Sequence, residues 1–419
     1  MRRLPAHHLY VHVPFCRLVC AYCDFVTVAG RATDIPRYVE ALLAELALRA
    51  APGELRTIYF GGGTPSLLDP ASVERIVEAA IARWPAAKLD EVTLEANPSR
   101  REAQDWVGVR EAGVTRLSIG AQSLRDDDLR TLARGHTAAE VREAYAAART
   151  AGFENISLDL IFGIPGQALD DWRHGLAAAI ALQPDHVSCY ALQLALEPDE
   201  WAAEPRPGAL QWRERMAPRQ SEDVAAEQYR VAEELLDRAG YRHYEISSWA
   251  RLGHESRHNL AYWARRPYMG IGAGAHSYDG TALRSWNERN LDAYLMRVDA
   301  GERPLAGREQ LEPAARAFEA VALGLRCVDG FSRSAFAAEF GADADARLAD
   351  GIADAAGRGL IEVDGDPVRL TPAGRLLASE ALLAFLPPAE GASGRTDQGP
   401  ARSRPRSRAT VQRPLAIQT

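Results

Sequence analysis

The sequence predicts an α/β protein: a partial (β/α) TIM-type barrel followed by a smaller helical, winged-helix-like domain. First, short apolar runs alternate with amphipathic helical patterns over residues 1–250, which is typical of a parallel sheet with right-handed crossovers. Second, the chain has 419 residues, which suits a barrel of about 250 residues with an appendage. Third, the pattern beyond residue 305 becomes helical and includes a hairpin with a D-G turn.

The barrel is predicted to contain six strands, each followed by a helix. The predicted strands are 9–15, 57–60, 91–96, 116–121, 155–162 and 186–194. The predicted helices are 35–50, 70–84, 101–112, 138–151, 169–182 and 222–239. Residues 201–219, with three prolines and two tryptophans, are predicted to form an irregular surface loop that covers the barrel mouth.

Three further segments follow the barrel. Residues 251–304 are interpreted as a connecting segment, and residues 305–387 as the winged-helix-like domain. Because that domain shows no basic recognition helix, we expect a cap on the barrel and not a DNA-binding module. Residues 388–419 are rich in Gly, Ser, Pro and Arg and are predicted to be disordered. The sequence leaves open whether this basic tail contacts acidic membrane lipid or a partner protein.

Charge and composition narrow the classes of function. The net charge is −8, and because the tail carries +4 the remainder carries −12, which argues against a general nucleic-acid binder. The amino terminus is basic but lacks the apolar core of a signal peptide. No uncharged run approaches the length of a membrane helix. With only five cysteines, the expected location is the cytoplasm.

Three cysteines lie close together after the first strand. Cys16, Cys20 and Cys23 have the spacing C-x3-C-x2-C. Three thiolates on one loop can hold three irons of a cubane cluster and leave the fourth iron open to a substrate. A zinc site closed by His12 is the alternative, although His12 lies on the strand before the loop. Disulfides are disfavoured, because three neighbouring cysteines cannot all pair and no export signal is present.

Polar residues or glycines stand at the ends of successive predicted strands, where the chemistry of such barrels takes place. Each could instead be a structural hydrogen-bond hub, but together they supply one ligand contact from each strand. Asp159 is notable because a lone carboxylate in an apolar strand is costly without a partner. The other candidates are Gly62, Gly63, Thr64, Glu95, Gln122 and Arg134.

The cysteine spacing, with Tyr22 before the last cysteine, resembles the signature of the radical S-adenosylmethionine (SAM) superfamily. The ordered motifs LYVHVPFC, YFGGGTPSLL, TLEANP, RLSIGAQS, LARGH and LDLIFGIPGQ look like the oxygen-independent coproporphyrinogen III oxidase family. This resemblance implies a [4Fe–4S] cluster on the three cysteines. The SAM contacts that it implies are Tyr10, Tyr22, Gly62, Gly63, Thr64, Glu95, Gln122, Arg134 and Asp159.

Two features favour the haem-chaperone branch of this family over the oxidase branch. The oxidase has another cysteine two positions after the third, where this chain has Phe25. The segment HNLAYW, residues 258–263, resembles the haem-binding motif of the chaperone branch. His258 would offer an imidazole to iron, and Tyr262 and Trp263 would cover a porphyrin face. The alternative is a turn followed by core packing.

The resulting hypothesis is a radical SAM protein that binds haem and delivers it to haem-acceptor proteins, with a reductant such as flavodoxin or ferredoxin. No catalytic residue is assigned, and whether the protein is an enzyme stays open. The first alternative is oxidative decarboxylation of coproporphyrinogen III, and the second is a zinc-bound interaction module. The glycines at 270, 272 and 274 lack the strand–turn–helix context of a dinucleotide site and are interpreted as a loop near SAM or haem.

Overall fold

The computed structural model describes residues 6–84, 86–102, 105–194 and 208–386. The chain divides into two compact units, the first extending to Gln310 and the second beginning at Leu311. Segment 251–304 therefore belongs to the first unit and is more than a connection. The predicted tail, residues 388–419, lies outside the described residues.

The first unit alternates strands and helices along most of its length. Its strands are β1 (Ala6–Val13), β2 (Phe15–Cys16), β3 (Val28–Ala29), β4 (Glu54–Gly62), β5 (Glu91–Ala96), β6 (Arg116–Gln122), β7 (Ile156–Phe162), β8 (His186–Ala191), β9 (Arg242–Glu245), β10 (Ser248–Ala250), β11 (Tyr268–Ile271), β12 (His276–Tyr278), β13 (Leu283–Asn287) and β14 (Leu305–Gln310). Its helices are α1 (Ile35–Leu48), α2 (Pro70–Arg83), α3 (Trp106–Glu111), α4 (Asp126–Thr131), α5 (Ala138–Thr150), α6 (Leu169–Ala181), α7 (Ala209–Met216), α8 (Glu222–Arg238), α9 (Arg257–Trp263) and α10 (Leu291–Asp299).

Twelve of these strands form one sheet in the order β14-β13-β12-β11-β1-β4-β5-β6-β7-β8-β10-β9. The run from β11 to β8 is parallel, and the strands beyond both of its ends pair antiparallel. This architecture confirms the predicted α/β class with a mostly parallel sheet. Strands buried on both faces explain the continuous apolar runs: Leu9, Val11, Ile58 and Phe60 are all fully buried.

Strand β11, which pairs in parallel with β1, was not predicted from the sequence. This strand contains the first glycine of the run that was interpreted as a loop. A Cβ atom on Gly270 would lie 2.1 Å from the carbonyl oxygen of His276, so the glycine permits close passage of β12. The glycine run thus begins inside the sheet, and β14 extends the same sheet beyond the predicted boundary at residue 305.

Three helices also differ from the predictions. Helix α3 begins later than residue 101 because the Asp105 side chain caps it, accepting a 2.9 Å hydrogen bond from the amide of Gly108. Helix α4 was not predicted. Helix α7 lies within the stretch interpreted as an irregular loop, of which residues 201–207 are outside the described residues.

The second unit contains a small wing of strands among helices. Its elements are α11 (Pro313–Gly324), β15 (Phe331–Ser332), α12 (Arg333–Phe340), α13 (Ala342–Gly357), β16 (Ile361–Val363), β17 (Pro367–Leu370), α14 (Pro372–Leu376) and α15 (Ala378–Leu383). The predicted hairpin is present as β16 and β17, and β15 adds a third strand beside β17. Helix α13 was not predicted. Within the described residues, no helix has both the length and the apolar character that crossing a membrane requires.

Candidate functional site

The cysteine loop follows β1 at the carboxyl ends of the parallel strands. Cys16 ends β2, which pairs with β3, whereas Cys20 and Cys23 lie in the turns beyond it. The amide of Cys23 donates a 3.1 Å hydrogen bond to the carbonyl of Cys20. None of the three cysteines is in a disulfide, and all three are partly exposed. The loop therefore lies where ligands bind in this class of barrel.

The glycine run at the end of β4 lies directly against this loop. The amide of Gly63 donates a 2.8 Å hydrogen bond to the carbonyl of Val13. A Cβ atom on Gly63 would come within 2.8 Å of the Pro14 and Phe15 carbonyl oxygens. Only glycine allows this close approach of the two backbones. The next residue, Thr64, donates a 3.5 Å hydrogen bond from its hydroxyl to the Cys16 thiol.

Arg134 joins the cysteine loop to the end of β6. Its Nη1 atom donates to the Cys20 sulfur at 3.2 Å and to the Tyr22 hydroxyl at 3.4 Å, while Nη2 donates to the Gly120 carbonyl at 3.3 Å. Its buried Nε atom has no hydrogen-bond partner among the described residues. A guanidinium with a spare donor is suited to hold a carboxylate. Burial raises the pKa of Tyr22, so this phenol stays neutral and can pass on a hydrogen bond.

A buried carboxylate with a spare oxygen lies in the loop after β5. Glu102 accepts a 3.1 Å hydrogen bond from Asn97 on Oε1, whereas its buried Oε2 atom has no partner in the described part of the chain. Burial raises the pKa of Glu102 to about 7, against the influence of Arg17 and Arg134. Glu102 was not predicted as a site residue, because a glutamate next to arginines at the start of a predicted helix resembles a solvated residue.

Glu95 and Tyr10 lie together just inside the barrel mouth, which is the end of the barrel where the parallel strands have their carboxyl ends. The Tyr59 hydroxyl donates to Glu95 Oε1 at 2.9 Å, and the Gly62 amide donates to Oε2 at 3.1 Å. Burial raises the pKa of Glu95 to about 7. The ring of Tyr10 stacks on Tyr59 with centroids 6.2 Å apart. Tyr59 was not predicted, although its position two residues before the glycine run was a usable signal.

Gln122 has backbone strain at the end of β6. Its φ of 63° is left-handed, and the pairing with β7 is irregular between Ile119 and Gln122. A non-glycine residue with positive φ beside a bulge is typical of functional sites. Gln122 pairs with Leu160 after the register shift, and the shifted stretch includes Gly120, whose carbonyl accepts a hydrogen bond from Arg134.

Asp159 lies inside the barrel with its partners already in place. Ser118 donates to Oδ2 at 2.8 Å, and Ser157 donates to Oδ1 at 2.9 Å. Burial raises the pKa of this carboxyl group. The cost of a lone carboxylate in an apolar strand is thus offset by neighbouring hydroxyls, as the hub alternative expected. A contact with SAM stays a prediction for Asp159.

The HNLAYW segment forms helix α9 beside the amino-terminal halves of the strands, away from the cysteine loop. His258 is fully buried. Its Nδ1 atom lies 2.7 Å from the Thr57 hydroxyl, and its Nε2 atom lies 2.9 Å from the Tyr262 hydroxyl. Glu91 accepts hydrogen bonds from the amides of Arg257 and His258 and so fixes the start of the helix.

This arrangement shows how the proposed haem motif packs in this structure, and its role in binding haem stays a prediction. Burial lowers the pKa of His258 well below the usual value, so the imidazole is neutral. Both of its ring nitrogens are hydrogen-bonded in this conformation, so neither has a lone pair or proton directed at a ligand. Tyr262 and Trp263 are only 5% and 7% exposed, which leaves no flat surface for a porphyrin. In this conformation the segment packs into the core, the alternative that the sequence left open.

The thiols of the cysteine loop fit an iron–sulfur cubane in number and chemistry. Among the described residues, no group of three or more His, Cys, Asp or Glu side chains is arranged around a single metal ion. In a cubane each thiolate binds a different iron, so the three sulfurs need not converge on one point. The Arg134 guanidinium beside Cys20 also stabilises a thiolate.

Comparisons with known proteins agree with this architecture. The family model described as the Radical SAM superfamily matches residues 10–177, and the one described as the HemN C-terminal domain matches residues 311–377. The solved structure of coproporphyrinogen III oxidase (HemN) from Escherichia coli is similar with a TM-score of 0.75, at 23% identity over 91% of this chain and 90% of that one. This likeness shows the fold.

Curated relatives match at higher identity. The heme chaperone HemW of Bacillus subtilis is 34% identical over 90% of this chain and 98% of its own length. The heme chaperone HemW of Mycobacterium tuberculosis H37Rv is 37% identical over 90% of this chain and 94% of its own. The heme chaperone HemW of Escherichia coli K12 is 33% identical over 92% and 100%.

Proposed function

We propose that this chain, which belongs to the heme chaperone HemW family of the radical SAM superfamily, binds a [4Fe–4S] cluster, SAM and haem and delivers haem to acceptor proteins. The observation that carries the cofactor part is the contact of Arg134 with Cys20 and Tyr22 at the barrel mouth. The haem part is supported by heme chaperone relatives that are 33–37% identical to this chain over nearly its whole length.

In this proposal Cys16, Cys20 and Cys23 hold the cluster through three irons. When bound, the cluster supplies an electron for reductive cleavage of SAM. Its reductant would be a small redox protein such as flavodoxin or ferredoxin.

Different residues at the mouth are proposed to contact different parts of SAM. Arg134 uses its spare Nε donor for the methionine carboxylate. The backbone at Gly62 and Gly63 allows the ligand to approach without a side chain in the way. Further contacts are proposed from Tyr10, Tyr22, Thr64, Glu95, Gln122 and Asp159.

The haem ligand is left unassigned. Because His258 is bonded at both ring nitrogens, haem could bind there only if α9 withdrew from Thr57. A titration of haem into wild-type protein and the His258→Ala variant separates two cases. Loss of binding in the variant would indicate that α9 opens, and equal binding would place the iron ligand elsewhere.

A second candidate is oxygen-independent oxidation of coproporphyrinogen III, favoured by the shared fold of the Escherichia coli enzyme. Phe25, where the oxidase branch has a cysteine, argues against it. Anaerobically reconstituted protein should be supplied with coproporphyrinogen, SAM and a reductant. We expect no steady production of protoporphyrinogen and stoichiometric binding of haem. Steady turnover would contradict the chaperone proposal, and stoichiometric zinc in place of iron would support an interaction module instead.

A further inference from the structure

Helix α7 lies over the second half of the cysteine loop. Its two buried residues, Trp212 and Met216, stand one turn apart and belong to an apolar cluster at the carboxyl ends of β7 and β8. Ala21 and Tyr22, between the second and third cysteines, pack against the same cluster. A helix that follows the barrel's sixth strand in sequence thus contacts the loop that follows its first strand.

Arg213 makes the polar contacts of this helix with the loop. Its guanidinium donates to the carbonyl of Ala21 at 3.4 Å and to that of Tyr22 at 3.2 Å, and it forms an ion pair with Asp24. The Arg213 side chain is only 12% exposed, so these bonds are largely shielded from water. Buried hydrogen bonds from a charged donor are stronger than neutral ones.

The other end of the segment is fixed to the barrel. The side-chain amide of Gln220 donates to the carbonyls of Gly163 and Leu192, both at 2.7 Å. The carbonyl of Arg219 accepts a 3.2 Å hydrogen bond from the amide of Gly166. Residues 209–220 therefore bridge the ends of β7 and β8 and the cysteine loop.

We propose that residues 209–220 are a strap that holds Cys20, Tyr22 and Cys23 in place before the cluster is inserted, with Arg213 as its positioning residue. This inference rests on the proposed function, because the strap acts on the cluster ligands. Ordering the loop in advance lowers the conformational entropy that cluster binding has to remove. It also keeps Tyr22 against Arg134, the residue assigned to SAM.

The strap should act on the three cysteines unequally. Cys16 lies in a strand paired with β3 and accepts a hydrogen bond from Thr64, so parts of the chain other than the strap hold it. Cys20 and Cys23 flank the two carbonyls that Arg213 binds. Loss of Arg213 should thus loosen the second and third cysteines and leave the first unchanged.

Thiol alkylation of the full-length apoprotein tests this asymmetry without any cofactor. Labelling rates of each cysteine are measured by mass spectrometry in wild type, Arg213→Ala, Arg213→Lys and the control Arg215→Ala, an exposed arginine of the same helix. In Arg213→Ala we expect Cys20 and Cys23 to react at least about fivefold faster, as for the loss of charged hydrogen bonds, with Cys16 unchanged. Lysine should restore part of the protection.

Asp24→Asn, on the loop side of the ion pair, provides a second variant if Arg213→Ala does not fold, and it should shift the same two cysteines. Unchanged rates at Cys20 and Cys23 in folded variants, or an equal rise at all three cysteines, would overturn the strap. After anaerobic reconstitution, the variants should lose their cluster to a chelator faster than wild type. If wild type takes up no cluster, the proposed function fails, while the apoprotein rates still decide the strap.

Discussion

Arg134 and Glu102 at the carboxyl end of the parallel barrel differ from His258 at its amino end in how completely their polar atoms are satisfied. At the carboxyl end, Arg134 and Glu102 each keep a buried polar atom without a partner among the described residues. At the amino end, His258 has a partner on both ring nitrogens. Buried polar groups normally find partners, so spare atoms indicate where a ligand is expected. Arg116 Nε, at the start of β6, is also buried without a partner among the described residues. The spare atom of Arg134 differs because it stands beside the cysteine loop, which favours the mouth as the cofactor site, whereas α9 packs into the core.

Substitution of a cluster cysteine should give the largest effect and tests the mouth directly. After anaerobic reconstitution, Cys16→Ser, Cys20→Ser and Cys23→Ser should each lower iron from about four per chain to nearly none. The control is Cys327→Ser in the second unit. Full iron content in all three variants would remove the cysteine loop from the site.

Removal of the His258 ring should destabilise the amino end without affecting the mouth. His258→Ala leaves a cavity and removes the hydrogen-bond partner of the Thr57 and Tyr262 hydroxyls. We therefore expect the free energy of unfolding to fall by about 3 kcal/mol. Denaturant unfolding of the apoprotein measures this loss. Iron content after reconstitution should equal that of wild type. A variant as stable as wild type would show that the closed arrangement around His258 contributes little.

Loss of the Arg134 guanidinium should weaken SAM binding while leaving the fold intact. Hydrogen bonds to charged groups contribute about 1.5–3 kcal/mol, so Arg134→Ala should raise the Kd for SAM about 10- to 100-fold. Arg130→Ala, an exposed arginine four residues away, is the matched control. The readout is the change in the cluster spectrum on SAM addition. Equal SAM affinity in both variants would exclude Arg134 as the carboxylate partner.

A further effect is a pH dependence of stability at Glu95, which is small at any single pH step. Its pKa is raised by burial from 4.5 to about 7, so the folded state holds a proton that the unfolded state has lost across this window. Its contribution to stability is therefore fully present below pH 4.5 and is lost as pH rises towards 7, by up to about 1.4 kcal/mol per pH unit. Glu95→Gln should remove that slope.

The measurement is the difference between wild-type and Glu95→Gln apoprotein in unfolding free energy from pH 4.5 to 7. The difference isolates Glu95 from other buried groups, such as Glu102 and His136, that titrate in neighbouring ranges. Parallel curves for the two proteins would show that Glu95 titrates normally.

The sequence predicted the parallel barrel because period and burial are local signals. Long strands such as β4 and β7 contain apolar runs that predict strands. Capped helices such as α5, which has a Thr137–Glu140 capping box, begin directly after their capping residue. Residues at the ends of β4 and β6 are brought to one edge by topology alone, so the mouth could also be predicted.

The remaining features depend on contacts between distant parts of the chain. Whether α9 faces solvent or the barrel interior depends on its docking against Thr57 and Glu91, which lie far away in sequence. The contact of Arg213 with the cysteine loop likewise spans almost 200 residues. Strand β11 was hidden because it is four residues long and contains a glycine. No local pattern encodes such pairings.

The most direct test of the account is electron paramagnetic resonance of the reduced, anaerobically reconstituted protein with and without SAM. The account predicts a [4Fe–4S] signal that changes when SAM is added, because SAM binds an iron without a protein ligand. A signal that is identical at saturating SAM, or a reconstituted protein without a cubane signal, would contradict it.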